Sequence, residues 1–289
     1  MTAAVVAGAF SAVLLWAGPE VVDGPAAKDA IREVARSTED LRYTVAHEND
    51  GWVIALPTGV ELTARQKSFL GKWSLDYTDP DGYSLDRLAA ELRAAGGAEI
   101  PKQTLRLTVE GRRNQPIRVD SIKPVNVRRE KPYDGTLLFV PPQESGNTVE
   151  MMFDFDEADP RARVAARRDD SGEYKPGELF FQKKTLTIKD AVQDTLVVRS
   201  VASRWAVSFE IRIDYHLGNE ARHVVITDEG HPFSLSPMSC ADRTRLAADG
   251  TPISQGHANY RQIWAMRGDF KGIEEVPDPN RYELGSPFC

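Results

Sequence analysis

The feature that most constrains the fold of this chain is a period-two alternation of apolar and polar side chains between residues 104 and 237. Successive residues of a β-strand point to opposite faces, so this alternation is typical of strands with one buried face. About eight such segments, separated by turn residues, follow one another here. We therefore predict a mainly β fold in which residues 101–237 form an antiparallel β-sandwich of the Ig-like or a similar type.

One hairpin of this body is predicted down to its register. Alternate residues from Trp205 to Tyr215 are apolar, and Gly218-Asn219 is typical of a two-residue turn with glycine first. Both the turn and the apolar pattern favour the same pairing, because a slip of one residue would turn every apolar side chain to the other face. The predicted cross-strand pairs are Leu217–Glu220, Ile213–Val224, Ile211–Ile226 and Asp214–His223.

Residues 19–100 are predicted to be a small α+β region. Thr63 and Ser84 are suitable N-caps for helices over residues 64–71 and 85–95, and a third helix is predicted over residues 26–37. The further predicted elements are β-prone segments at 41–47 and 52–56 with a turn at 49–51, and an extended C-terminal tail at 238–289 with one helical turn at Tyr260, Ile263 and Trp264.

The amino terminus carries an apolar run, because residues 2–18 contain no charged side chain. As a helix this run would measure about 26 Å, slightly less than a hydrocarbon core of about 30 Å. Three interpretations are open: a single-pass membrane anchor over residues 1–18, a cleaved secretory signal, and a buried helix of a soluble domain. A cleaved signal fits poorly, since no basic residue precedes the run and bulky Leu15 lies three residues before the best cleavage point. We favour the membrane anchor.

Cys240 and Cys289 are the two cysteines of the chain. A disulfide between them would close a loop of about 50 residues and stabilise the fold by about 4 kcal/mol. Such a bond requires an oxidising compartment, so it favours a body outside the cytoplasm, in the cell envelope. Lys28 and Arg32 follow the apolar run and favour the opposite orientation by the positive-inside rule.

One loop carries a candidate metal site. Its carboxylates follow a predicted strand, and oxygen ligands of this kind bind Ca²⁺. The loop lacks the glycine-centred spacing of a calcium loop, and neighbouring arginines offer neutralisation as the alternative interpretation. The four candidate ligands are Asp154, Asp156, Glu157 and Asp159. No other cofactor is predicted. The five histidines, His47 among them, lack paired metal-ligand spacing, which favours a structural interpretation, with the Asp214–His223 pair as an exposed ion pair. A metal ligand or a general base is the alternative.

The net charge of −7 and the pI of 5.4 argue against a nucleic-acid partner. Hydrolase, nucleotide and phosphate-loop motifs do not occur in the sequence. We therefore expect a non-enzymatic binding or scaffold protein of the cell envelope, with the lipid bilayer as one partner and a protein or glycan as another. Two alternatives are an envelope hydrolase that uses loop carboxylates such as Asp154 and Asp156 on a glycan or peptide, and a soluble intracellular regulator.

Three stretches carry a resemblance to known proteins: LRLTVEGRRNQPIRVDSIKPVNVRREKPYDGTLLFVPPQ, TVEMMFDFDE and HPFSLSP. In these stretches the chain resembles a group of uncharacterised actinobacterial proteins that have one amino-terminal membrane segment and a β-rich body. The resemblance covers residues 100–237. It implies the same arrangement for this chain, and it implies no activity, cofactor or site residue.

Overall fold

The structure is a computed structural model that describes residues 40–48, 51–74, 76–140, 150–168, 173–246, 252–269 and 271–282. Strands predominate in it, so the predicted mainly β composition is confirmed. The strands are β1 (Leu41–His47), β2 (Trp52–Ala55), β3 (Ala98–Glu99), β4 (Lys102–Gly111), β5 (Ile117–Glu130), β6 (Thr136–Val140), β7 (Glu150–Asp154), β8 (Arg163–Arg168), β9 (Glu173–Leu179), β10 (Leu186–Ile188), β11 (Gln193–Val201), β12 (Ala206–Leu217), β13 (Glu220–Ile226), β14 (Phe233–Leu235), β15 (Cys240–Leu246), β16 (Pro252–Ala258), β17 (Gln262–Met266) and β18 (Ile273–Glu275). The helices are α1 (Ala64–Lys72), α2 (Leu85–Ala94) and α3 (Phe180–Lys183), with a 3-10 helix over Pro279–Arg281.

The described strands form three sheets. A six-stranded sheet has the order β1-β4-β11-β7-β8-β9, and a ten-stranded sheet has the order β10-β5-β12-β14-β3-β2-β6-β17-β18 with β13 added beside β12. β15 and β16 form a separate pair. Most pairings are antiparallel, as expected, but β7–β11, β3–β14 and β6–β17 are parallel. Only β7–β11 lies within residues 101–237, where an antiparallel body is predicted, and it departs from that prediction. The strands of all three parallel pairs lie far apart in sequence, as parallel pairing requires.

One hydrophobic core lies between the six-stranded sheet and the β10-β5-β12-β14 part of the ten-stranded sheet. Alternate residues of β4 and β11 face alternate residues of β5 and β12 across it. Its largest fully buried side chains include Phe153, Phe155, Phe209 and Phe233. The period-two pattern thus gives each sheet the apolar face on which the other packs.

The other part of the ten-stranded sheet is covered on both faces. Ile54 of β2 and Leu138 of β6 face α1 and α2, whereas their neighbours Val53 and Leu137 belong to a third apolar cluster. Central strands of this kind are apolar on consecutive residues, because neither face meets water.

Both long helices begin at the predicted caps. Thr63 Oγ1 accepts from Gln66 N at 3.3 Å and Gln66 Oε1 accepts from Thr63 N at 2.8 Å, which is a capping box. Ser84 Oγ accepts from Arg87 N at 3.2 Å and starts α2. The buried residues of α2 are Leu85, Leu88, Ala89 and Leu92, which is the apolar stripe of an amphipathic helix.

The hairpin prediction is confirmed at every pair. β12 and β13 pair Leu217 with Glu220, Asp214 with His223, Ile213 with Val224 and Ile211 with Ile226. Gly218 has a φ of 62°, a left-handed conformation that glycine adopts without a Cβ penalty.

One local expectation is confirmed and another is wrong. β1 and β2 are both present where predicted, but they belong to different sheets. The tail region forms β15–β18, and Ile263 and Trp264 lie in β17 rather than in a helical turn. Both side chains are buried, because β17 pairs with β6 inside a sheet that is covered on both faces. Strands from both sides of residue 101 share the same sheets. For example, β1 pairs with β4 along its whole length.

The predicted apolar helix and membrane anchor at residues 1–18, and the predicted helix at 26–37, lie outside the described residues. Among the residues that are described, none of the helices has the length and apolar character needed to cross a bilayer.

Candidate binding cleft

A cleft of about 520 Å³ lies where three elements of the fold meet. β1 lines one side, the last turns of α2 line the second, and the turn at residues 227–231 between β13 and β14 lines the third. Its volume falls within the range of ligand sites in proteins. β1 belongs to the six-stranded sheet, whereas α2 packs on the β2 and β6 strands of the ten-stranded sheet. The cleft therefore lies where the six-stranded sheet meets the helices.

Four charged side chains form a network beside this cleft. His47 Nδ1 lies 2.6 Å from Glu99 Oε1, and His47 Nε2 lies 3.1 Å from Asp228 Oδ2. The guanidinium of Arg93 reaches both carboxylates, at 3.6 Å from Glu99 and 3.5 Å from Asp228. All four side chains are less than one-fifth exposed. The network therefore joins β1, α2, β3 and the 227–231 turn.

The network keeps His47 charged at neutral pH. Burial works against the imidazolium, but the hydrogen bonds to Asp228 and Glu99 outweigh burial and raise the pKa of His47 to about 9. Burial likewise opposes ionisation of Asp228, yet its hydrogen bond with His47 holds the pKa of this carboxyl below its ordinary value. Both ring nitrogens of His47 face carboxylates, so both carry protons in this arrangement.

The turn at 227–231 fixes Asp228 at the mouth of the cleft. Asp228 and His231 exchange backbone hydrogen bonds of 2.8 and 2.9 Å. The two residues between them, Glu229 and Gly230, have φ values of 52° and 94°. Positive φ at both central residues is typical of a tight hairpin turn. Glu229 of this turn is exposed and is one of the residues that line the cleft.

β1 is an edge strand. Alternate residues of β1 form backbone hydrogen bonds with β4, and the residues between them direct their backbone N–H and C=O groups to the free edge. Arg112 N donates to Asp40 O and Glu48 N donates to Thr104 O, both at 2.9 Å. In an antiparallel ladder such pairs alternate with pairs whose groups point away. The backbone N–H and C=O of Val45 therefore point away from β4. Among the described strands, β4 alone pairs with β1.

A buried carboxylate fixes the start of β1. Asp40 Oδ1 accepts from Arg113 Nε at 2.7 Å, and Asp40 Oδ2 accepts from Arg222 Nη1 at 2.6 Å and from Tyr215 Oη at 3.1 Å. Burial opposes ionisation, but these hydrogen bonds outweigh it and hold the pKa of Asp40 below its ordinary value. β1 is thereby tied to β12 and β13 of the opposite sheet.

The predicted acidic loop is present, but its carboxylates have separate partners. Asp154 Oδ1 accepts from Asp156 N at 3.0 Å, and Asp156 accepts from the backbone and hydroxyl of Ser203. The other two acids form ion pairs, Glu157–Arg163 at 2.8 Å and Asp159–Arg161 at 2.7 Å. No group of three metal-ligating side chains is found within the described ranges. The loop is held by arginines and a serine, and the calcium site stays a prediction.

The two cysteines are placed unequally. Cys240 begins β15 and is disulfide-bonded. Cys289 lies outside the described residues, so the Cys240–Cys289 pairing stays a prediction.

The sequence alone does not identify this network, because it favours a structural interpretation for His47 and carries no motif that includes Arg93, Glu99 or Asp228. One signal existed. Glu99 lies between Ala98 and Ile100, so it is a charged residue inside an apolar segment, and its side chain is only 3% exposed. A buried acid requires a cationic partner, but the sequence does not say which residue supplies it.

No protein-family model, curated protein or solved structure matches this chain. The resemblance of residues 100–237 to the actinobacterial group therefore stays an expectation.

Proposed function

We propose that this protein is a non-enzymatic binding module that accepts an extended segment of a partner protein along β1. The observation that carries the proposal is the edge of β1, where the backbone groups of Val45 point away from β4 beside a cleft. Addition of a strand to an exposed sheet edge is a recurring mode of peptide recognition, in which main-chain hydrogen bonds supply affinity.

The charge network favours binding over acid–base catalysis. A general base must hold an unprotonated atom near the substrate at the working pH. Both nitrogens of His47 are instead engaged by Glu99 and Asp228, which raises its pKa to about 9. The network thus acts as a fixed wall for the cleft.

We further propose that the module is held at a membrane by residues 1–18, with its body outside the cytoplasm. The uncharged run at the amino terminus and the disulfide-bonded state of Cys240 support this proposal. Labelling intact cells with a membrane-impermeant thiol reagent after mild reduction tests the orientation. Labelled Cys289 is expected, and protection until the cells are lysed would contradict it. Deletion of residues 1–18 should release the protein from the membrane fraction.

We also infer that the six-stranded sheet and the β10-β5-β12-β14 strands form a β-sandwich. Their shared apolar core and the alternation of buried residues support this architecture.

Photo-crosslinking tests the binding function. A photo-reactive amino acid at His231, an exposed residue of the cleft, should give a discrete adduct with another protein in cells. The matched control position is Asn219, an exposed turn residue that does not line the cleft. Val45→Pro removes the outward N–H while leaving the β4 hydrogen bonds intact, and proline is tolerated on edge strands. We expect this substitution to abolish the His231 adduct.

Three outcomes would contradict the proposal: no adduct at His231, the same adducts from Asn219, or an adduct that persists in Val45→Pro. An adduct formed only with residues of this same chain would also contradict it, because the cleft would then be filled from within.

A further inference from the structure

The edge geometry decides which residues of a bound strand face the cleft. Residues directly opposite each other in a sheet carry their side chains on the same face. Val45 and His47 both line the cleft with their side chains on one face of β1. Two residues of the bound strand, two positions apart, therefore project into the cleft beside them.

The wall of the cleft that α2 supplies carries two small side chains. Ala90 and Ala94 lie one turn apart on the exposed side of α2, and both line the cleft. Tyr43 and Val45 line it from β1. Short methyl side chains on a helix leave room for a larger apolar group, so this wall of the cleft fits a side chain such as leucine or phenylalanine, whose burial is favourable.

The end near His47 carries a net negative charge. His47 and Arg93 balance Glu99 and Asp228, the groups to which they are hydrogen-bonded or ion-paired. Glu229 adds one more carboxylate, which is exposed and makes no ion pair with any residue in the described part of the chain. The five groups together favour a cationic side chain, because it is attracted to the uncompensated carboxylate.

We infer that the partner segment carries an apolar residue and a Lys or Arg two positions apart, the first facing Ala90 and Ala94 and the second facing Glu229. This inference rests on the proposed function. An exposed ion pair of this kind contributes about two- to five-fold in affinity, so the basic residue acts mainly as a specificity determinant.

Selection from a phage library of random ten-residue peptides tests the inference. The bait is the full chain in detergent micelles, used as wild type, Val45→Pro, Glu229→Lys and Ala94→Leu. Wild type should enrich peptides with the apolar and basic pair, and Val45→Pro should not. Glu229→Lys should change the preference from Lys and Arg to Asp and Glu. Ala94→Leu should change the apolar position to alanine or glycine.

The outcomes separate the inference from the function on which it rests. Enrichment that is lost in Val45→Pro, but that lacks a basic preference or does not respond to Glu229→Lys, overturns the inference and leaves strand addition intact. Enrichment that Val45→Pro does not affect, or no enrichment at all, overturns both. Circular dichroism of each variant establishes whether it is folded. If Val45→Pro does not fold, the changed apolar preference expected of Ala94→Leu serves as the second test.

Discussion

Replacing His47 by glutamine should destabilise the fold and remove a specific part of its pH dependence. The imidazolium lies between two carboxylates, and its side chain is 9% exposed. Glutamine removes the charge while leaving Glu99 and Asp228 in place. Removing one partner of a buried ion pair typically costs about 3–5 kcal/mol, because the remaining charge is left buried without compensation.

The pKa of His47 gives an independent magnitude. A rise from 6.5 to about 9 on folding corresponds to about 3 kcal/mol at 1.36 kcal/mol for each tenfold change in proton affinity. Because the pKa is raised in the folded state, this stabilisation is complete below pH 6.5. It is lost as the pH rises through 9, when the folded protein also releases the proton.

Urea unfolding at pH 6 and pH 9.5 measures this effect. The difference in unfolding free energy between wild type and His47→Gln should shrink by about 3 kcal/mol over that interval. His223→Gln, which removes a histidine from an exposed position on β13, controls for the loss of a histidine as such. A difference that stays constant with pH, or an NMR titration in which His47 loses its proton near pH 6.5, would refute the reasoning.

Four further changes give stability predictions, each measured by urea unfolding. Asp40→Asn should destabilise by about 1.5–3 kcal/mol because it removes the charge from hydrogen bonds that Asp40 accepts from two half-exposed arginines, and its deficit should vanish as the pH falls below 3.8, through the lowered pKa of Asp40. Leu88→Ala should cost about 2–5 kcal/mol, since Leu88 is fully buried on α2; a cost below 1 kcal/mol would argue against that packing. Gly218→Ala should cost about 1–3 kcal/mol, because a residue with a Cβ is strained at the positive φ of this position. Reduction of a Cys240–Cys289 bond should cost about 4 kcal/mol, and no change on reduction would exclude that pairing.

The sequence predictions that are confirmed in most detail concern features that depend only on interactions between residues close together in the chain. The β12–β13 register follows from an alternating pattern and a glycine turn, and both are local. The starts of α1 and α2 follow from Thr63 and Ser84, whose side chains bond backbone groups within the same turn. No distant contact is needed for either feature, so a single sequence suffices.

Prediction from the sequence was wrong where a strand is buried on both faces, because apolar and polar residues do not alternate along such a strand. Ile263 and Trp264 are adjacent and both apolar, which fits neither a one-sided strand nor a simple loop. They belong to β17, which adds to β6 between two apolar clusters. Local periodicity cannot identify such a strand, because both of its faces are covered by segments distant in the chain.

By itself, then, the sequence determined the strand-rich composition, the helix starts and the hairpin register, because hydrogen bonding and alternation within short segments decide them. Only the tertiary structure decided that His47, Arg93, Glu99 and Asp228 meet beside the edge of β1. These four residues come from four separate elements, and each alone is an ordinary polar residue. Their charges acquire a role only when the topology places them together in a buried environment, where an unpaired charge is costly.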